Sequence, residues 1–170
     1  MLVLETQRLN LLWLHDGDAE FILDLLNQPS WLAFIGDRGV HNLEAAKAYI
    51  HDGPLEMIRK HGFGLYLVET KSDSLAIGLC GLLKRDTLDD VDIGFAFHPD
   101  FWGQGYASEA AIACVEYAKH KLGLDRLVAV TMPANQASIA LLKAIGMHYQ
   151  QDISLGGSEE ILQLFSKKLG

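Results

Sequence analysis

Cysteine is scarce in this 170-residue chain: Cys80 and Cys114 are the only two. Both sit in apolar surroundings without a CxxC or a Cys/His metal spacing, which excludes a zinc ribbon and a dithiol redox motif. One disulfide is formally open, but two buried thiols in a reducing compartment suit such surroundings better. His15, His41, His51, His61, His120 and His148 show no paired spacing on a helix face, so no metal is expected. Positive charge is also short. The 14 Lys and Arg against 22 Asp and Glu leave a net charge of −8, which speaks against nucleic acid or an anionic membrane as a main partner and is compatible with a cationic substrate. No window approaches the roughly 20 apolar residues that span a bilayer. Glu5 and Arg8 interrupt the apolar N-terminal stretch where a secretory signal would be unbroken. Repeats, low-complexity tracts and polar linkers are missing as well. What remains, 49% hydrophobic and 21% charged, reads as a single domain over 1–170, cytoplasmic and long enough to bury a core.

Hydrophobic periodicity divides the chain into strands and helices. Residues 2–14 partly alternate and are expected as one long strand. Residues 16–27 follow as a helix that Pro29 ends, and 28–41 as an irregular loop. Asn42 can cap a helix to about His51, and Pro54 fits the first turn of a second, reaching about Lys60. Residues 63–70 and 74–83 are strands joined by a hairpin turn, and 91–98 is a third, stopped by Pro99. Ala107, Ala110, Ala111, Cys114, Val115, Ala118 and Leu122 then recur at helical spacing. A strand at 126–131, a helix at 135–144 and strands at 147–153 and 160–168 complete the chain as a mixed α/β sheet.

The stretch DIGFAFHPDFWGQGYASEA, residues 92–110, carries the most chemistry. A strand gives way to a loop with Gly103, Gln104 and Gly105, and a helix begins at once behind Ala107 and Ser108. Exposed N–H groups and the positive end of a helix dipole make such a junction an anion site, although an ordinary strand-to-helix turn looks the same in sequence. A GxxxxGK phosphate loop fails because no lysine follows Gly105. A dinucleotide fingerprint fails too, because Ser108 stands at the third glycine position and Asp125 precedes the next strand instead of ending it.

VDIGFAFHPDFWGQGYASEA resembles the acyl-CoA signature of the GNAT acetyltransferase superfamily. There a strand, a pyrophosphate loop of pattern Gln/Arg-x-x-Gly-x-Gly/Ala and a helix follow in this order. Trp102 departs from the Gln/Arg position, Gly105 is the middle glycine and Ala107 the final small residue. NQASIALLKAIGM, residues 135–147, resembles the family's later Asn-x-x-(Ala/Ser)…Gly-Phe helix. LETQRLNLLWL and FIGDRGVHNLEAAKAYI resemble the branch of ribosomal-protein N-terminal alanine acetyltransferases (RimJ/RimL-like), so the resemblance spans essentially the whole chain. It implies a GNAT-like acyl-CoA N-acyltransferase fold, a central and mostly antiparallel sheet with splayed strands at 91–98 and 126–131.

The resemblance also implies an N-acetyltransferase that moves the acetyl group of acetyl-CoA directly to a primary amine, either a protein N-terminus or a small molecule. Main-chain N–H groups of Gly103, Gln104, Gly105, Tyr106, Ala107 and Ser108, beside Trp102, would hold the pyrophosphate. The edge of Phe95, Ala96 and Phe97 would pair with the pantetheine arm as an added strand. Asp92, aligned with the family's carboxylate base, would deprotonate the amine through a water relay, with His98 as the alternative base. Leu142 stands where many members have a tyrosine, so Ser138 would assist the departing thiolate, while Asn135 contacts CoA or caps its helix. A main-chain N–H at 95–97 would hold the oxyanion, and Gly94 suggests a bulge there. Lys143 would reach a phosphate or stay solvated. Trp31, Phe34, Asp37 and Arg38 would wall the acceptor site, the aspartate suiting a cationic amine and the arginine a carboxylate. The aromatic pair would serve equally as core. Cys80 and Cys114 lack a base at a spacing that supports a covalent route. A second function class stays open, a catalytically silent acyl-CoA-binding or regulatory module, and so does a homodimer.

Overall fold

The computed structural model describes residues 1–170. Its elements are β1 (Leu2–Glu5), β2 (Leu9–Leu12), α1 (Ala19–Leu26), α2 (Pro29–Phe34), α3 (Leu43–Ile50), α4 (Glu56–His61), β3 (Leu65–Thr70), β4 (Ala76–Leu83), β5 (Asp92–Phe97), α5 (Tyr106–His120), β6 (Arg126–Thr131), α6 (Gln136–Ala144), β7 (His148–Ile153) and β8 (Leu162–Lys168). The strands form one sheet in the order β1-β2-β3-β4-β5-β6-β8-β7. Every neighbouring pair is antiparallel except β5 with β6. No helix is long and apolar enough to cross a membrane.

Three expectations need correction. Residues 2–14 are not one strand but a hairpin, β1 against β2, whose turn is closed by the Thr6 amide donating to the Leu9 carbonyl at 2.9 Å. Residues 28–41 are not wholly irregular. Pro29 opens α2 instead of merely ending α1, because at the first helical position its missing N–H and fixed φ are no penalty. The third concerns Pro54, which does not start a separate helix. It sits inside a wide turn, His51–Leu55, that joins α3 to α4 without a break, since proline cannot donate the usual bond there. Asn42 does cap α3, its side chain accepting from the Ala45 amide at 2.8 Å.

Alternation along the strands sends side chains to two apolar layers. On one face Ala110, Ala111, Cys114 and Ala118 of α5 pack on Leu9, Leu11, Val68, Ile77 and Leu82, and small side chains let the helix lie close to the sheet. On the other, Ile22, Leu25 and Leu26 of α1 and Ala46 and Ile50 of α3 cover Leu67 and Leu79. Burying each of these larger aliphatic side chains stabilises the fold by roughly 1.5–3 kcal/mol. Cys80 and Cys114 are free, buried thiols facing each other across β4 and α5, with Sγ atoms 3.7 Å apart.

The feature that shapes the site is the junction of β5 and β6. Their ladder holds a single paired position, Asp92 with Val128, where the Val128 amide donates to the Val91 carbonyl at 3.0 Å. Beyond it the strands diverge, as the expected splay requires. The β4–β5 register runs unbroken from Leu83–Asp92 to Gly78–Phe97, so no bulge lies at Gly94.

Candidate active site

Where β5 and β6 part, a cavity of about 390 Å³ opens. Trp31, Phe34, Arg38 and Tyr49 line it on the α2–α3 side, and Asp92, Gly94, Phe95 and Ala96 come from β5. Asn135, Ser138 and Leu142 close it from α6. A Cβ on Gly94 would lie 3.2 Å from Leu83 Cδ1 and 3.5 Å from Leu65 Cδ2, so glycine here keeps the cavity floor open. Asp37 is outside this lining. Its carboxylate accepts from the Gly39 amide at 2.8 Å and meets the His41 ring at 3.0 Å.

Asp92 is only 1% exposed. Burial pushes its carboxyl up to about 6, although the Arg85 guanidinium, with Nε 3.2 and 3.3 Å from the two carboxylate oxygens, pulls the other way. A carboxyl balanced there is ionised at neutral pH and basic enough to take up a proton. Sequence reasoning missed Arg85; the available signal was the pair of cations Lys84-Arg85, placed shortly before an acid already singled out as a base. His98 is not brought to the cavity. Its Nδ1 accepts from the Asp100 amide at 3.2 Å and its Nε2 lies 3.0 Å from Asp24 of α1, so the ring ties the end of β5 to a helix.

On α6, Asn135 acts as the cap, its Oδ1 accepting from the Ser138 amide at 3.2 Å. The Ser138 side chain, half-buried and lining the cavity, has no protein hydrogen-bond partner. Leu142 is buried one turn further on, and Lys143 is exposed and outside the lining.

The edge of β5 splits by parity. The His98 amide donates to Ile77 at 2.9 Å, so His98, Ala96 and Gly94 direct their main-chain groups to β4, while Phe95 and Phe97 direct theirs into the gap. This corrects the expected pairing edge in two places. The main chain of Ala96 is turned into the sheet, and only its side of the cavity floor remains. The Phe97 carbonyl already accepts from the Trp102 indole at 2.8 Å. Trp102 therefore anchors the end of β5 through its indole N–H although the residue is largely exposed.

Beyond Trp102 the loop turns with Gly103 at φ +77° and Gly105 at φ +80°, conformations that favour glycine. Trp102 to Gly105 are exposed, and Tyr106, Ala107 and Ser108 half-buried. None of the main-chain amides of residues 103–108 donates to an acceptor within the protein. They form a run of free donors at the N-terminus of α5, the arrangement that binds anions.

One side chain holds this loop in place, and sequence reasoning missed it. Arg8 donates from Nη1 to the Gln104 carbonyl at 2.9 Å and from Nε to Glu109 at 2.7 Å, and its guanidinium sits 4.3 Å from the centre of the Tyr106 ring. The Arg8 amide and the Thr6 hydroxyl also donate to Glu109, at 2.9 and 2.5 Å. Burial pushes the Glu109 carboxyl up, but the bonds from Thr6 and Arg8 more than reverse this and leave it below the usual range. An acid beside an anion site needs a cation to neutralise it. That was the available signal.

Residues 8–148 match the acetyltransferase (GNAT) domain family. The uncharacterized N-acetyltransferase YoaA of Bacillus subtilis (strain 168) is 31% identical over 146 residues, covering 85% of this chain and 81% of that protein. The crystal structure of an acetyltransferase from Agrobacterium tumefaciens str. C58 superposes with a TM-score of 0.82 at 24% identity, over 96% of this chain and 92% of the other. RimL, a ribosomal L7/L12 alpha-N-protein acetyltransferase in complex with coenzyme A, shares the fold with a TM-score of 0.82 at 16% identity, over 99% and 98% of the two chains. With the family match covering most of its length, the chain belongs to the acetyltransferase (GNAT) domain family and is an acetyl-CoA-dependent acetyltransferase.

Proposed function

We propose that residues 1–170 act as one catalytic domain that transfers the acetyl group of acetyl-CoA directly to a primary amine held in the cavity between β5 and β6. The observation that carries this reading is the run of unpaired amides at 103–108, placed at one end of the strand whose other end is Asp92. Those amides bind the pyrophosphate of the acyl donor. The N–H and C=O of Phe95 and the N–H of Phe97 pair with the amides of its pantetheine arm, and Asn135 flanks the arm from α6.

The incoming alkylammonium gives its proton to Asp92, directly or through one water. The freed nitrogen attacks the thioester carbonyl, whose oxyanion meets a main-chain N–H of β5. The C–S bond then breaks, the thiolate accepting a hydrogen bond from Ser138, and the proton shed by the attacking nitrogen as it becomes an amide is taken up by the sulfur, which leaves as CoA thiol. A covalent acyl-cysteine has no support: both thiols are buried, and the hydrogen bond with Cys114 and burial hold the Cys80 thiol well above its usual range. Free thiols also accord with a cytoplasmic setting. The acceptor of RimL is a protein N-terminus, and a small amine is equally within this reaction.

Mixing the protein with acetyl-CoA and a panel of amines and N-terminal peptides tests the proposal. Thiol release matched by one acetyl gain on an amine is the expected result. Tight binding of acetyl-CoA without turnover across the panel would instead favour a silent acyl-CoA-binding module.

A further inference from the structure

The acceptor end of the cavity carries an excess of positive charge, in a chain whose net charge is −8. Its charged residues are Arg38, Arg85 and Asp92. Arg85 uses Nε on Asp92 and leaves both terminal nitrogens without a protein acceptor. Arg38 makes no ion pair. The acid next to it in sequence, Asp37, is turned away and held by Gly39 and His41. Tyr49 lines the same wall close enough for the Arg38 charge to act on it, and its hydroxyl has no hydrogen-bond partner in the protein.

The cavity thus presents two guanidinium groups and a phenol with unused donors, against one carboxylate that the reaction needs as a base. A polyamine would bring further positive charge against Arg38 and Arg85, an unfavourable juxtaposition. A carboxylate is the group that a planar, charged donor fork recognises best. Trp31 and Phe34 supply apolar walls beside Arg38, as small-molecule sites commonly do. A peptide N-terminus has its own terminal carboxylate far from its amine and leaves Arg38 unused unless its first side chains are acidic.

We propose that the acceptor is a small primary amine that also carries a carboxylate, an amino acid or a close analogue, and that Arg38 determines this preference by binding the carboxylate. The inference rests on the acetyltransferase reading above and narrows it.

The test compares thiol release for matched pairs, each an L-amino acid and the amine left when its carboxylate is removed, with spermidine and N-terminal peptides as further acceptors. The expected kcat/KM is at least about tenfold higher for the acid of a pair, and Arg38→Gln lowers that ratio about tenfold, mainly through KM, as loss of one charged contact should. Arg38→Lys restores part of it, and a thermal melt confirms that both variants fold. Equal or faster turnover of the decarboxylated amines, spermidine or peptides would overturn the inference and leave the acetyltransferase reading standing. So would an unchanged ratio in Arg38→Gln. No thiol release with any acceptor would overturn both.

Discussion

Arg85 Nε lies 3.2 Å from the carboxylate of Asp92, which is the buried acid at the start of β5. Burial raises this carboxyl from 3.8 to about 6 and the guanidinium only moderates the rise. If Asp92 is the base, kcat/KM falls as pH drops through about 6, and Asp92→Asn loses that limb along with about 100-fold or more in kcat. Stability carries a second signature. The folded chain keeps this proton at pH values where the unfolded chain has lost it, so the Asp92 contribution to stability declines as pH rises from about 4 to about 6. Relative to the wild type, Asp92→Asn therefore gains as pH is raised from 4 to 7, by up to about 3 kcal/mol. Urea unfolding at several pH values reads this directly, and a pH-independent difference would remove Asp92 from the titration.

Arg8 reaches across from the β1–β2 turn to brace the loop at Gln104 and Glu109. Arg8→Ala should weaken acetyl-CoA binding about tenfold, the usual loss for a charged hydrogen bond, with the sheet intact. Calorimetry beside a thermal melt separates a loosened loop from a destabilised fold. Unchanged affinity in the folded variant would reduce Arg8 to a surface contact.

Gly105 combines a left-handed φ of +80° with open space around it, where a Cβ would meet only Arg8 Nη2 at 3.4 Å. The obstacle to substitution is therefore backbone strain and not internal crowding. Gly105→Val costs roughly 1–2 kcal/mol in the loop and should reduce acetyl-CoA affinity at least tenfold, with Gly105→Ala less severe. A valine variant that folds and binds acetyl-CoA normally would refute the loop assignment.

Ser138 projects into the cavity with its hydroxyl free, and Leu142 offers no donor one turn away. A thiolate leaves readily, so Ser138→Ala should slow kcat only about three- to tenfold and leave acetyl-CoA affinity unaltered. A wild-type rate in that variant would end the donor role.

Much of this arrangement is legible in the sequence because it is local. β6 spans 126–131 as expected, α5 follows from its alanine periodicity, and Asn135 caps α6. The hairpin of β1 and β2 was hidden because its turn, Thr6 to Arg8, holds no glycine or proline, and alternation on both sides looked continuous. Pro29 reads equally as a stop or a start, and only the packing of Trp31 decides. Arg8 is invisible for a different reason. Its partner Glu109 is 101 residues away, and no periodicity links positions joined through the sheet. Asp37 and Arg38 were indistinguishable as acceptor residues until the loop geometry tied Asp37 to Gly39 and His41 and left Arg38, though exposed, at the cavity wall.

Amide hydrogen exchange with and without coenzyme A tests the central claim most directly, because it reads the donors themselves. Without ligand, the amides of residues 103–108 have no acceptor in the protein and should exchange quickly, as should those of Phe95 and Phe97 in the gap. The account predicts that coenzyme A protects these two groups together, with smaller changes on β1, β7 and β8. Protection elsewhere, or a loop that exchanges equally fast with and without ligand, would contradict it.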